Sequence, residues 1–209
     1  MRFKFLAAAF SLAMVSTAQE AQAACSPAVL GSFPQATFSG SGIPTGNVLH
    51  TTCNINDILA LSATQRFASP ALTNDGVSTF YATPGFGTSA PANYSNWNFD
   101  FYTNNASGYF TLFMDTNTGA GTTFTPYSFD GANQNSFNIG MFFINGDANA
   151  TGVYTYRLVE YADATRATET QAISIDVDVV GTTTPEPASM VLMGTGLVGM
   201  GVIARRRKR

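Results

Sequence analysis

Ile173-Ser174-Ile175-Asp176-Val177-Asp178-Val179 alternates a β-branched apolar residue with Ser or Asp at every step. A period of two places successive side chains on opposite faces of an extended chain. The stretch therefore predicts a half-buried strand, with Ile173, Ile175, Val177 and Val179 inward and Ser174, Asp176 and Asp178 wet. The same period recurs upstream. Residues 153–161 read as a tyrosine-rich strand after a turn at Asn145-Gly146-Asp147, and Phe137, Ile139, Met141 and Phe143 give another alternating face. Trp97, Phe99 and Phe101 alternate with Asn98, Asp100 and Tyr102. After the turn signal Asn104-Asn105-Ala106-Ser107-Gly108, Phe110, Leu112 and Met114 alternate with Tyr109, Thr111, Phe113 and Asp115. These last two segments predict a hairpin whose aromatic rows meet across the strands. Residues 47–53, 58–67 and 77–82 add further strands, and no helical period is sustained between residue 24 and an apolar segment near the end.

Strands of this kind must bury one face each, so eight or nine of them predict an all-β antiparallel β-sandwich spanning residues 24–181. No fixed-period repeat suggests a solenoid or propeller. Composition agrees. The chain has 209 residues, of which only 11% are charged, while 17 Phe and 8 Tyr supply most of the large side chains. That excludes a coiled coil, a disordered acidic tail and a helix-rich cytosolic enzyme. Between residues 24 and 184 three cations, Arg66, Arg157 and Arg166, stand against eleven acids, a net charge of −8. A body that acidic repels a phosphate backbone, so no nucleic-acid partner is expected.

The two ends carry the missing positive charge. Arg2 and Lys4, an apolar run over residues 5–15 and the small-x-small site Ala21-Gln22-Ala23 have the layout of a secretory signal peptide, residues 1–23, cut between Ala23 and Ala24. A lipoprotein signal acylated at Cys25 would want an apolar residue where Gln22 stands. Export leads to an oxidising compartment, where Cys25 and Cys53, the two cysteines of the chain, predict one disulfide; two buried thiols are the alternative. The lone histidine, His50, leaves no clustered base for a catalytic cysteine and reads as a partly buried strand residue.

At the other end, Thr182-Thr183-Thr184-Pro185-Glu186-Pro187 breaks regular structure, and residues 188–204 run without a charge to the stop Arg205, Arg206, Arg207, Lys208 and Arg209. As a helix the seventeen uncharged residues would reach about 25 Å, against about 30 Å of hydrocarbon. Residues 182–209 thus predict a weak single membrane helix, with the cations held cytoplasmic and the body outside.

Pro185-Glu186-Pro187, the Gly-rich apolar segment and the basic end, in that order, resemble the PEP-CTERM sorting signal of Gram-negative bacteria. The resemblance covers about 25 residues. It implies recognition of Pro185, Glu186 and Pro187 by an exosortase-type transpeptidase. Transient anchoring in the inner membrane, cleavage near the motif and delivery to the cell surface or extracellular matrix would follow, in a setting of exopolysaccharide and biofilm. A single-span anchor that is never cut is the alternative. The signal says nothing about the activity of the body, although the order of its strands loosely resembles other PEP-CTERM surface proteins with a sandwich body.

Chemistry in the body is sparse. Asp115, Asn117 and Gly119 share one loop and Asp147 and Asn149 another, with the alternating oxygens of a calcium site but no completing Glu, so they read as turn residues. No cofactor is expected, with weak Ca2+ recruitment between loops left open. Asp176 and Asp178 on one strand face, and Glu160, Asp163 and Glu169 near a turn, lack the partners of a glycosidase pair. The leading expectation is a non-enzymatic surface or matrix protein that meets exopolysaccharide through an acidic, Thr/Asn-rich surface. The second is a carbohydrate-binding, or less readily carbohydrate-active, sandwich using Tyr81, Phe86, Tyr94, Trp97, Tyr102, Tyr109 or Tyr127.

Overall fold

In a computed structural model the described residues are 25–53, 57–67, 72–89, 91–119 and 121–181. The signal segment with its Ala23 and Ala24, the motif Pro185-Glu186-Pro187, the apolar segment 188–204 expected to form a membrane helix and the basic stop from Arg205 to Arg209 all lie outside them. Among the described residues no helix is long and apolar enough to cross a membrane.

Eleven strands are described: Val29–Gly31 (β1), Val48–Cys53 (β2), Asp57–Gln65 (β3), Thr73–Asn74 (β4), Thr79–Ala82 (β5), Trp97–Thr103 (β6), Tyr109–Asp115 (β7), Phe124–Asp130 (β8), Asn133–Phe137 (β9), Gly152–Tyr161 (β10) and Glu169–Val179 (β11). They form two sheets, β1-β2-β3-β6-β9 and β4-β5-β11-β10-β7-β8. The alternation in β11 has its predicted consequence: Ile173, Ile175, Val177 and Val179 are buried while Ser174 is exposed and Asp176 and Asp178 are half-buried. β11 pairs antiparallel with β10 and parallel with β5, so the sheets are not wholly antiparallel as expected.

The interior between the sheets is aromatic. Trp97, Phe99 and Phe101 of one sheet face Tyr154, Tyr156 and Phe110 of the other, and the Phe99 and Tyr156 rings stack at 3.9 Å and 16°. Each such side chain contributes on the order of 2 to 3 kcal/mol by leaving water.

Three sequence expectations need correction. β6 and β7 are not a hairpin: β6 bonds to β3 and β9, β7 to β10 and β8, so both edges of each are taken and the 104–108 turn carries the chain from one sheet to the other. The aromatic rows do meet, but across the sandwich rather than within a sheet. Second, Phe137 to Phe143 is not a strand. β9 lies earlier and ends at Phe137, and residues 138–146 turn repeatedly through bonds such as Gly146 N to the Ile139 carbonyl at 2.7 Å. Ile139 and Ile144 are buried there and Phe142 is 90% exposed. Third, eleven strands are described where eight or nine were expected; among those not read is β8, an edge strand whose inward side chains are only half-covered, which weakens its period-two signature.

A smaller second core covers the outer face of the five-stranded sheet. The connection between β1 and β2 folds back over that face as a strap, and Phe33, Ala36 and Phe38 pack on Val48 of β2 and Ala60 of β3. Tyr102 and His50, on the same outer face, meet the Phe33 ring at 5.3 and 5.0 Å. Cys25 and Cys53 are joined in a disulfide that encloses the strap, as the sequence predicts.

Candidate functional site

The strap touches the sheet at one end and stands off it at the other. Where it touches, the Gln134 side chain of β9 pins it: Oε1 accepts from the backbone N–H groups of Thr37 and Phe38, both at 2.9 Å, and the Ser39 hydroxyl donates to the Gln134 carbonyl at 2.6 Å. Past the pin the strap, residues 39–44, forms one wall of a cavity of about 830 Å3. The floor is the outer face of the sheet, with Thr64, Asn98 and Ser136 on three adjacent strands; the far wall is Arg66, Phe67 and Tyr94. Phe38, Ser39 and Phe67 have φ of 48°, 58° and 53°, so three of the five described non-glycine residues with positive φ line this one cavity. That conformation costs on the order of 1 kcal/mol or more per residue and is sustained only by surrounding structure.

Arg66 links the far wall together. The Arg66 guanidinium carbon lies 4.8 Å from the centroids of both the Phe67 and Tyr94 rings, and its Nη1 donates to the Ser89 carbonyl at 3.1 Å. Burial lowers the Arg66 pKa while Tyr94 acts in the other direction. The other two body cations are ion-paired, Arg157 with Glu169 and Arg166 with Asp130.

Beside the floor, on the same face of the sheet, lies Asp100, opposite Ser62 and Ser136 on the neighbouring strands. It is fully buried, its Oδ2 accepts from the Thr64 hydroxyl at 2.9 Å, and its Oδ1 has no hydrogen-bond partner among the described residues. Loss of solvent raises its pKa to about 7, partly opposed by the hydroxyls of Ser136 and Thr64. The rim is held by Asn138, just past β9. Its Oδ1 accepts from Ser95 N and Gly140 N, and its Nδ2 donates to the Ser95 and Trp97 carbonyls and to Asn98 Oδ1.

Of the aromatic residues singled out from sequence, Tyr94 alone lines this cavity. Trp97 is fully buried in the main core, Tyr102 packs on the strap, and Tyr127 packs among Phe129, Phe137 and Phe143. Tyr109 lies under Arg166, and Tyr81 and Phe86 are exposed elsewhere.

The calcium-like loops are Asx turns: Asp115 Oδ1 accepts from Asn117 N, Asn117 Oδ1 from Gly119 N, and Asp147 Oδ1 from Asn149 N. Among the described residues no group of three His, Cys, Asp or Glu is placed to hold a metal ion. The carboxylates are dispersed: Asp176 accepts from the Thr155 hydroxyl, Asp163 caps its own turn at Thr165, and Glu160 is buried against Asn105 and Gln171. Sequence reasoning missed Arg66, Gln134 and Asn138. The available signal was the apolar content of the strap, Phe33, Phe38 and Ile43, which no strand period explains.

Fold and tail together define a disulfide-tied all-β body joined to a sorting segment. Residues 183–208 match the PEP-CTERM protein-sorting motif, so the chain is a PEP-CTERM sorting domain-containing protein. The match takes in Pro185, Glu186, Pro187 and the basic residues 205–208, and implies export and a surface or extracellular destination. No curated protein and no solved structure matches the chain.

Proposed function

We propose that this is a non-enzymatic cell-surface or extracellular-matrix protein. Its tail is held in the inner membrane, read at Pro185, Glu186 and Pro187 by an exosortase-type transpeptidase and then removed, and its β-sandwich associates with exopolysaccharide in a biofilm. The observation that carries the reading is the sorting motif at residues 183–208 behind a body with dispersed carboxylates. The surface acids meet anionic polymer through bridging cations, and Ca2+ is recruited weakly. Mass spectrometry of the protein from its own host tests the sorting. The expected species begins at Ala24, has Cys25 and Cys53 oxidised and ends near Pro187; an untrimmed chain with reduced thiols would overturn the reading. A melting temperature unmoved by millimolar Ca2+ would remove the cation bridge.

A second reading is favoured by the cavity under the strap, which combines ring faces with amides and hydroxyls as sugar sites do. On it the sandwich is a carbohydrate-binding module, and binding is independent of surface charge.

A further inference from the structure

Three features of the cavity under the strap bear on what it can hold. It is concave and of the size that encloses a small ligand, about 830 Å3. Its floor and walls offer side-chain hydroxyls and amides: Asn98 and Ser136 on the sheet, both half-buried, with Gln65 and Ser41 at the mouth, while the Thr64 hydroxyl is turned to Asp100. It also has aromatic walls: the Tyr94 ring, half-buried, and the Phe67 ring, 77% exposed, each lie 4.8 Å from the Arg66 guanidinium carbon. Among the described lining residues the one formal charge is Arg66, which is 8% exposed and donates to the Ser89 and Pro91 carbonyls. It therefore serves the rings as a backing plate rather than presenting an accessible ion. Around the cavity the body carries net charge −8 over residues 24–184, which opposes the approach of a polyanion.

Hydroxyl-rich, uncharged and flat-faced is the chemistry that fits. Amide and hydroxyl side chains match alternating ring hydroxyls as donor and acceptor, and an aromatic face matches the C–H face of a pyranose. We infer that the cavity between the strap and the outer face of the five-stranded sheet binds a neutral saccharide segment, with its ring against Tyr94 and its hydroxyls on Asn98 and Ser136. The inference rests on the carbohydrate-binding reading and assigns that reading a site and a ligand charge.

The test uses the full secreted protein as purified from its host, titrated by calorimetry with cellotetraose, maltotetraose and mannotetraose, and with trigalacturonate as the acidic arm. At least one neutral tetrasaccharide should bind, and trigalacturonate should bind at least about tenfold more weakly. Tyr94→Ala should weaken binding about tenfold. Ser41→Trp, an exposed change in the strap that puts an indole across the mouth, should abolish binding while leaving the melting temperature in place. Tyr81→Ala, on an exposed aromatic outside the cavity, should bind as the parent does. Binding that Tyr81→Ala or Phe86→Ala removes and Ser41→Trp spares would overturn the cavity assignment and keep the module. Preference for trigalacturonate would overturn the neutral class alone. No binding to any of the four sugars, together with no co-sedimentation with the host's own polysaccharide, would remove both.

Discussion

Asn138 pairs with Ser95 as if its side chain were a backbone peptide: Oδ1 accepts from Ser95 N at 2.8 Å while Nδ2 donates to the Ser95 carbonyl at 3.0 Å. The last backbone pair between β6 and β9 is Phe99 with Phe137; beyond it residues 138–146 turn away, while Trp97 and Asn98 continue β6 beside β3. One side-chain amide thus extends the ladder where the backbone no longer reaches. The partners fix which atom is oxygen, since Ser95 and Gly140 both offer N–H groups to Oδ1. Asn138→Ala would leave those buried donors unsatisfied and should cost about 3 kcal/mol of unfolding free energy in urea titration. Asn138→Asp keeps the acceptor but turns a carboxylate toward the Ser95 and Trp97 carbonyls, so it should not rescue. A cost below about 0.5 kcal/mol for both would show that the amide is dispensable.

Gly140 explains why this rim admits no side chain. A Cβ there would lie 2.4 Å from the Asn93 carbonyl oxygen and 3.0 Å from the Tyr94 Cα, both backbone atoms that cannot swing aside. Gly140→Ala should therefore displace the 93–94 segment and with it the Tyr94 ring on the cavity wall. The expected result is a loss of about 2 kcal/mol in stability together with a changed tyrosine environment in near-ultraviolet dichroism. Unchanged dichroism with full stability would show that the turn yields freely.

Asp100 predicts an unusual pH dependence. Its folded pKa is raised to about 7 from an ordinary value of 3.8, so the folded state binds a proton more tightly than the unfolded chain. The folded form consequently gains stability as pH falls from above 7 toward 4, and loses it as pH rises through the folded pKa. Asp75 acts oppositely and lower down. Backbone N–H groups of Thr79, Val77 and Ser78 hold its pKa at about 2, so its contribution is present above pH 3.8 and lost below it. Between pH 4 and 7 the slope belongs to Asp100. Asp100→Asn should flatten it and raise stability at pH 8 by about 2 kcal/mol, measured as the difference between parent and variant urea curves. Equal slopes in the two proteins would refute the assignment.

Why Asp100 was unreadable as a buried group shows where sequence reasoning stops. Period two correctly divides β6 into Trp97, Phe99 and Phe101 on one face and Asn98, Asp100 and Tyr102 on the other. It cannot say that a distant strap covers the second face, because the strap's Phe33, Ala36 and Phe38 have no period of their own. Long alternating runs such as β11 and β10 were legible because a strand flanked on both sides has one dry face, whereas the edge strand β8 has one neighbour and alternates only between exposed and half-covered side chains. Phe137 to Phe143 failed differently. Phe143 packs on Phe137 at 5.2 Å, but through a turn, so apolar spacing there reports a contact and not a strand. The cavity needed residues from the strap, β3, β6, β9 and two turns together, and no local pattern links them.

The disulfide bears on that cavity. Cys25 and Cys53 are 28 residues apart in sequence, and the segment between them contains β1, the entire strap and β2. Closing such a loop restricts the unfolded chain by about 3 to 4 kcal/mol on the loop-entropy estimate, and the native restriction falls on the element that walls the cavity. Gln134 supplies the second hold through Thr37 and Phe38. Reduction should lower the melting temperature and also speed hydrogen exchange at the Thr37 and Phe38 amides more than at core amides such as Ile175 in β11. Gln134→Ala should speed exchange at the same two amides with little change in melting temperature, since both lie in the strap on the outer face of the sheet, outside the main core. If reduction lowers the melting temperature while Thr37 and Phe38 keep their protection relative to Ile175, the bridge stabilises the fold globally and Gln134 alone seats the strap.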